Sequence, residues 1–377
     1  MQEYIRQQLA LHPSITQRDA LKMCFQAAYG AEHLLTDITK VRGYFLTEFD
    51  ACTPSDELLA EFIAPEVCRV NLAAWKRLGL PWEWLFNLFV ESAAVPMASP
   101  CHCEPQRCNC EPQRCHCGLD PQSMFFKYIS EWSNYADANR LGLAFSFDET
   151  AGQKPQPVHH SQQYRDAEKP AYRVISGVYV RLIPILVALA GMDGGIIAID
   201  GRAASGKSTI AKALKAIIGA EIIHMDDFFL PPELRTPERL AEPGGNIHYE
   251  RFAQEVLPFI AGPFEYKIFD CNTMTYNGTR KVPPSKWRIV EGSYSQHPKF
   301  GNYMNLRVFS DIDPQTQMER IIARNGPQMA KMFADKWIPS EERYFEERYF
   351  EERYFEEDYI KGGILPCSCK TIFQLKV

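Results

Sequence analysis

The 377-residue sequence predicts two domains in tandem. A mostly α-helical region over 1–190 precedes an α/β domain over 191–377, whose parallel sheet carries helices on both faces. Three observations predict this. The stretch Gly201–Ser208 matches G-x-x-x-x-G-K-[ST] and stands between an apolar run, Ile196–Asp200, and a helical pattern, Ile210–Ile218, which is the order a phosphate-binding loop requires. Four short β-rich runs (Ile196–Asp200, Glu221–His224, Trp287–Val290 and Leu306–Ser310) alternate with helical segments after Gly194. Before that point, apolar positions recur at helical spacing.

In the N-terminal region, Ser14-Ile-Thr-Gln17 reads as a capping box ahead of Leu21, Cys24, Phe25 and Ala28. Further helices are expected over Ala31–Phe49, Asp56–Phe62, Glu66–Leu78, Trp82–Ala94 and Phe125–Leu141. Trp75, Trp82, Trp84, Phe86 and Phe89 supply a core for them. Tyr172–Ala190 reads as one helix bent near Pro184. His159 and His160, beside Tyr164, Arg165 and Arg173, are candidates for a second polar site.

Composition bounds the function classes. Hydrophobic residues make up 46% and charged residues 23%, as in ordinary soluble globular proteins. Glu341–Asp358 alone holds eight Glu, one Asp and three Arg, which accounts for the whole net charge of −6. The rest of the chain is neutral on balance, with no nucleic-acid or membrane footprint. The N-terminus has no apolar signal core, and the longest apolar run, Leu182–Ala190, is too short to span a bilayer, so a cytoplasmic location is the expectation.

Two internal repeats stand out. Residues 101–117 repeat Cys-His-Cys-Glu-Pro-Gln-Arg at heptad spacing and hold six of the twelve cysteines. Cys-x-Cys pairs with His102 and His116 are candidate ligands for a soft or borderline metal ion, although the spacing is not that of ordinary zinc modules. Near-identical copies also fit a loop insertion expanded by duplication. The second repeat, Glu341-Glu-Arg-Tyr-Phe345, recurs at 346–350 and 351–355. A period of five advances about 140° beyond a full helical turn, so only one copy can pack in a given way. The first copy is expected to belong to the domain and the others to be an expansion.

The chemistry centres on the loop. Gly201 and Gly206 let the backbone curl until the N–H groups of Gly201, Arg202, Ala203, Ala204, Ser205, Gly206, Lys207, Ser208 and Thr209 form an anion cradle at a helix N-terminus. Lys207 supplies charge for the outer phosphates, and the Ser208 hydroxyl suits Mg²⁺. Asp226 and Asp227 follow one strand end and Glu291 another, where ligands of an open parallel sheet lie. One carboxylate of the aspartate pair is expected to cap the local turn. The other would accept a proton from an attacking hydroxyl or hold Mg²⁺ through water. Arg320 and Arg324, four apart on one helical face, are placed to close over a transferring phosphate.

Together, Gly-Arg-Ala-Ala-Ser-Gly-Lys-Ser-Thr, Met-Asp-Asp-Phe-Phe and Val-Glu-Gly resemble the uridine kinase and phosphoribulokinase group of P-loop kinases, over roughly residues 194–345. The resemblance implies that Asp226 is the base toward the acceptor hydroxyl and that Phe228–Phe229 match an aromatic pair. It also implies that Glu291 serves the metal and that Arg320 and Arg324 are lid arginines. Phe269-Asp-Cys-Asn-Thr-Met274 stands where the family places its base-recognising segment, with Met274 in the position of a histidine. The expected activity is ATP- and Mg²⁺-dependent phosphoryl transfer to a small-molecule hydroxyl acceptor, a nucleoside first, with pantothenate or a sugar as the other acceptors. An ATP-binding switch protein without transfer is the alternative of a different class.

Overall fold

The computed structural model describes residues 1–35, 37–95, 120–145, 155–271, 273–349 and 372–376, with the side chains of 33, 347–349 and 372–376 excepted. The Cys-rich repeat at 101–117 and the later pentapeptide copies from 350 onward lie outside the described residues. The chain divides into two compact units, Met1–Ile183 and Pro184–Val377.

The N-terminal unit combines helices with a sheet. Helices α1 (Gln2–Leu11), α2 (Gln17–Tyr29) and α3 (Pro121–Ala138) pack on strands β1 (Ala60–Ala64), β2 (Val67–Asn71) and β3 (Tyr172–Ser176). The strands form an antiparallel sheet in the order β1-β2-β3, with Phe62 opposite Cys68 and Arg69 opposite Val174. Three expectations change here. Asp56–Phe62 is not a helix, Glu66–Leu78 splits into β2 and a short helix Leu72–Arg77, and Tyr172–Ala190 begins with β3. Val67, Val70, Val174 and Ile175 are β-branched and buried, and their pairing across the chain outweighs local helical spacing. A separate aromatic group forms where Phe45 meets Phe86 edge-on at 5.5 Å, and Trp75, Trp84 and Phe89 are buried as expected.

A polar network runs through this unit. Helix α2 is capped at Thr16, two residues beyond the position read from sequence, because Asp19 accepts the Thr16 N–H at 3.1 Å while the Ser14 hydroxyl turns to Glu168. Asp19 also takes His160 Nδ1 at 2.8 Å and the Ser161 hydroxyl at 2.6 Å. His160 Nε2 meets the Tyr172 hydroxyl at 2.6 Å. Arg69, buried at the centre of β2, donates to Gln26 at 2.8 Å and Gln8 at 3.1 Å and lies over the Tyr172 ring. The structure thus joins His160 to Tyr164, stacked at 4.4 Å, and to Arg165, which donates to the His160 carbonyl. It sends Arg173 elsewhere, to Glu48 and the Phe45 ring. The buried members are bonded to one another, as a structural network requires.

Burial, reinforced by the nearby Arg69 and Lys22 charges, lowers the His160 pKa to about 4 from its ordinary 6.5, against the pull of Asp19. A histidine held neutral in the fold binds its proton more readily when unfolded. Stability from this group is therefore present above pH 6.5 and is lost as pH falls from 6.5 toward 4. His12, raised by Glu61 and Glu168 despite desolvation, acts in the opposite sense. The urea midpoint of the wild-type protein is expected to fall across this window more steeply than that of His160→Gln. Equal slopes would remove His160 as the source.

The C-terminal unit is an α/β fold. Strands β4 (Gly195–Gly201), β5 (Glu221–His224), β8 (Trp287–Glu291) and β9 (Leu306–Asp311) form a parallel sheet in the order β9-β4-β8-β5, with β10 (Ile372–Lys376) beside β9. The strands β4, β5, β8 and β9 fall where the sequence pattern expects them. The central strand β4 is apolar and buried through Ile197, Ala198 and Ile199, because it has strands on both edges and layers on its faces. Helix α4 (Lys207–Ile218) lies against β4, β5 and β8. Ile223, Val290 and Phe309 pack with Phe252 from helix Tyr249–Glu255 and with Tyr344 and Phe345. A two-stranded antiparallel hairpin, β6 (Phe264–Asp270) with β7 (Thr275–Val282), escapes the sequence reading. Helix α5 (Pro314–Met332) breaks at Gly326-Pro327, and α6 (Ile338–Tyr349) follows.

Candidate active site

The loop leaves the carboxyl end of the central strand. Gly201 has φ +138°, and a Cβ there would stand 2.0 Å from the Ser310 carbonyl oxygen, so the turn requires glycine. Ala204 takes φ +60°, a left-handed conformation that L residues adopt at a cost, and Gly206 follows at +90°. These angles turn the carbonyls outward. Lys207 Nζ donates to the Gly201 and Arg202 carbonyls at 2.8 and 2.7 Å. Gln317 donates to the Ala203 carbonyl at 3.1 Å, Arg320 to that of Ala204 at 3.3 Å, and the Ser310 hydroxyl to that of Ser205 at 2.8 Å. The cradle expected over 201–209 is smaller than the sequence suggests, because the Gly201 amide donates to Asp200 at 2.7 Å, that of Arg202 to the Ser310 carbonyl at 3.2 Å and that of Ser205 to the Arg202 carbonyl at 3.2 Å. Among the described residues, the amides of Ala204 and Gly206 meet no protein acceptor. The amides opening α4 at Lys207, Ser208 and Thr209 add the unsatisfied donors of a helix N-terminus.

Asp200 anchors this loop from below. It is fully buried and accepts four donors: the amides of Gly201 at 2.7 Å, Tyr294 at 2.9 Å and Gln296 at 3.2 Å, and the Tyr344 hydroxyl at 2.8 Å. Burial pushes its carboxyl above the ordinary value, while these donors and Lys207 pull it down. Arg202 is fastened outside by Asp311 at 2.7 Å and by Glu342, and lies over the Phe345 ring.

Three acidic groups gather at the neighbouring strand ends. Glu291, at the end of β8, is buried and accepts the Ser208 hydroxyl at 3.1 Å on one oxygen. Its other oxygen stands 2.5 Å from His224 Nδ1, a residue that sequence reasoning passed over although it ends β5. Gly292, at φ +133°, follows it because a Cβ would press within 2.8 Å of Met225. Asp226 and Asp227 lie in one turn, Met225–Phe228, and take different roles. Asp227 is buried, receives the Tyr266 hydroxyl at 3.0 Å and Arg280 Nε at 2.9 Å, and is therefore structural. Asp226 is exposed and has no hydrogen-bonding partner among the described residues. Desolvation by the surrounding protein and the Glu291 charge raise its carboxyl above the ordinary value, against Lys207 and His224.

The Ser208 hydroxyl and the Glu291 and Asp226 carboxylates are the hard oxygen donors that suit Mg²⁺. Among the described residues no three His, Cys, Asp or Glu side chains form a metal cage. Mg²⁺ does not require one, since it is commonly held by one or two protein oxygens together with phosphates and water.

The two lid candidates separate. Both are exposed, but Arg320 donates to the Ala204 carbonyl of the loop whereas Arg324 bonds to its neighbour Asn325 at 2.8 Å. Arg324→Ala is expected to leave tripolyphosphate binding within about twofold, as for most exposed charges. A loss beyond about tenfold would show that α5 brings Arg324 onto the ligand. Met274 sits in the β6–β7 turn at φ +57°, with its sulfur 4.0 Å from Arg235.

No family model matches the chain. A solved structure described as "Structure of a Possible Uridine Kinase from Bacillus stearothermophilus" is similar at 18% identity with a TM-score of 0.37, over 52% of this chain and 98% of its own. Among the described residues, no helix is long and apolar enough to cross a membrane.

Proposed function

We propose that this protein transfers a phosphoryl group from ATP to a hydroxyl of a small metabolite, with a nucleoside as the first acceptor to test. The observation that carries the reading is the loop itself, with its carbonyls held by Lys207, Gln317 and Ser310 and the Ala204 and Gly206 amides without a protein acceptor among the described residues. Those amides, with Lys207, hold the phosphates of the nucleotide. Ser208 and Glu291, with Asp226 beside them, would hold Mg²⁺, which when bound neutralises phosphate charge. Asp226 takes the proton of the acceptor hydroxyl. The hydroxyl oxygen then bonds to the terminal phosphorus as the bond to the bridging oxygen breaks, and ADP leaves. An exposed carboxylate that no protein donor engages is suited to that proton transfer, whereas Asp227, held by Tyr266 and Arg280, is not.

The test is a transfer assay with γ-labelled ATP against a panel of nucleosides, pantothenate and sugars. Label on a nucleoside supports the reading, and label on pantothenate or a sugar keeps the kinase and changes the acceptor. Tight ATP binding with no transfer to any acceptor overturns it in favour of a nucleotide-gated switch.

A further inference from the structure

One amide of the loop already meets a carboxylate. The Ala203 N–H donates to Glu341 Oε2 at 3.0 Å, and the other carboxylate oxygen accepts the Ser293 hydroxyl at 2.9 Å. Glu341 comes from far along the chain, at the start of the first pentapeptide copy, and is buried at 6% exposure. Among the charges acting on it, Lys207 attracts and Asp200 repels. Burial with few donors raises its carboxyl above the ordinary value.

The rest of α6 fixes it there. Tyr344 donates to Asp200, Glu342 pairs with Arg202, and Phe345 packs edge-on against Phe309 at 5.0 Å while Arg202 lies over its ring. A buried carboxylate that accepts a loop amide and is attracted by Lys207 uses the kind of partners that a phosphate oxygen would use there. A triphosphate entering this cradle would add several negative charges beside it in a poorly solvated place, where like charges repel strongly.

We propose that Glu341 is a resident anion of the phosphate loop and that α6 is a strap which the phosphates of the nucleotide displace. The proposal rests on the phosphate-loop reading above. It makes α6 the element through which nucleotide occupancy is felt outside the loop, and it sets the affinity of the site by competition.

Glu341→Gln tests it with little change of shape. The amide oxygen can still accept from Ala203 and the amide nitrogen can donate to the Ser293 oxygen, so only the charge is lost. Titration calorimetry with ATP, inorganic tripolyphosphate and adenosine is expected to show the variant binding the first two at least about tenfold tighter, a difference of roughly 1.4 kcal/mol, with adenosine unchanged. Equal or weaker binding of both polyphosphates by the variant, with the wild-type protein binding them, overturns the proposal and leaves the phosphate loop standing. Failure of both proteins to bind either polyphosphate overturns the proposal together with the reading beneath it. Hydrogen exchange of the wild-type protein gives an independent readout. Amides of 338–346 are expected to exchange faster when tripolyphosphate is added. Slower exchange there would mean that Glu341 pins the loop without yielding to the ligand, and would overturn the strap.

Discussion

Asp226→Asn is expected to lower phosphoryl transfer about 10²–10⁴-fold, the usual scale for loss of a general base. The comparison uses whichever acceptor takes label in the panel assay. ATP affinity measured without Mg²⁺ should hold or rise, because the change removes a negative charge beside Glu291 and Lys207. On the proposed reading, in which Asp226 acts on the acceptor proton and the loop amides hold the nucleotide, the loss should fall on kcat. Asp227→Asn provides the contrast. That carboxylate binds Tyr266 and Arg280, so its replacement should lower thermal stability more than it changes the pH profile of turnover. Unchanged turnover in Asp226→Asn would take Asp226 out of the mechanism.

The largest effect on stability is expected at Asp200. Asp200→Ala leaves three backbone amides and the Tyr344 hydroxyl without their acceptor in a fully buried place. Each buried donor left unsatisfied costs about 1–3 kcal/mol, partly recovered where water enters the space left by the side chain. A total of about 3–5 kcal/mol is therefore expected, a large share of the stability of a domain. Asp200→Asn keeps one accepting oxygen and should cost about half as much. Urea unfolding followed at the C-terminal unit measures both. A cost below about 1 kcal/mol for the alanine variant would show that the four donors find other partners.

These two residues differ in how much of their setting the sequence shows. Asp226 is legible because its neighbourhood is local: a β-rich run, a turn and two carboxylates lie within ten residues. Asp200 is visible only as the polar end of a buried strand. Its role depends on Tyr294, Gln296 and Tyr344, which reach it only through the packing of β4 beside β8 and of α6 beneath the loop. Glu341 was harder still: its copy of the pentapeptide is expected to belong to the domain, but nothing in the repeat marks its first glutamate as the side chain that meets the Ala203 amide. Arg320 and Arg324 share a helical face, yet only the first bonds to the loop.

The N-terminal unit repeats the lesson in its backbone. β2 and β3 pair Asn71 with Tyr172 and Val67 with Ser176, about a hundred residues apart, and no window of sequence contains that pairing. Buried β-branched residues at 67, 70, 174 and 175 could serve a helix or a strand equally well until a partner strand was present. Strand β4, the curled loop and α4 needed no such partner to be recognised. Glycine at 201 and 206, lysine at 207 and flanking apolar periodicity act through bonds and angles close together in the chain. The amino-acid order alone therefore carried the strand–loop–helix unit and the parallel strands around it. Tertiary structure decided which carboxylate stays open to solvent, which is locked, and which lies on the loop, because a buried polar side chain takes its role from donors that only folding brings to it.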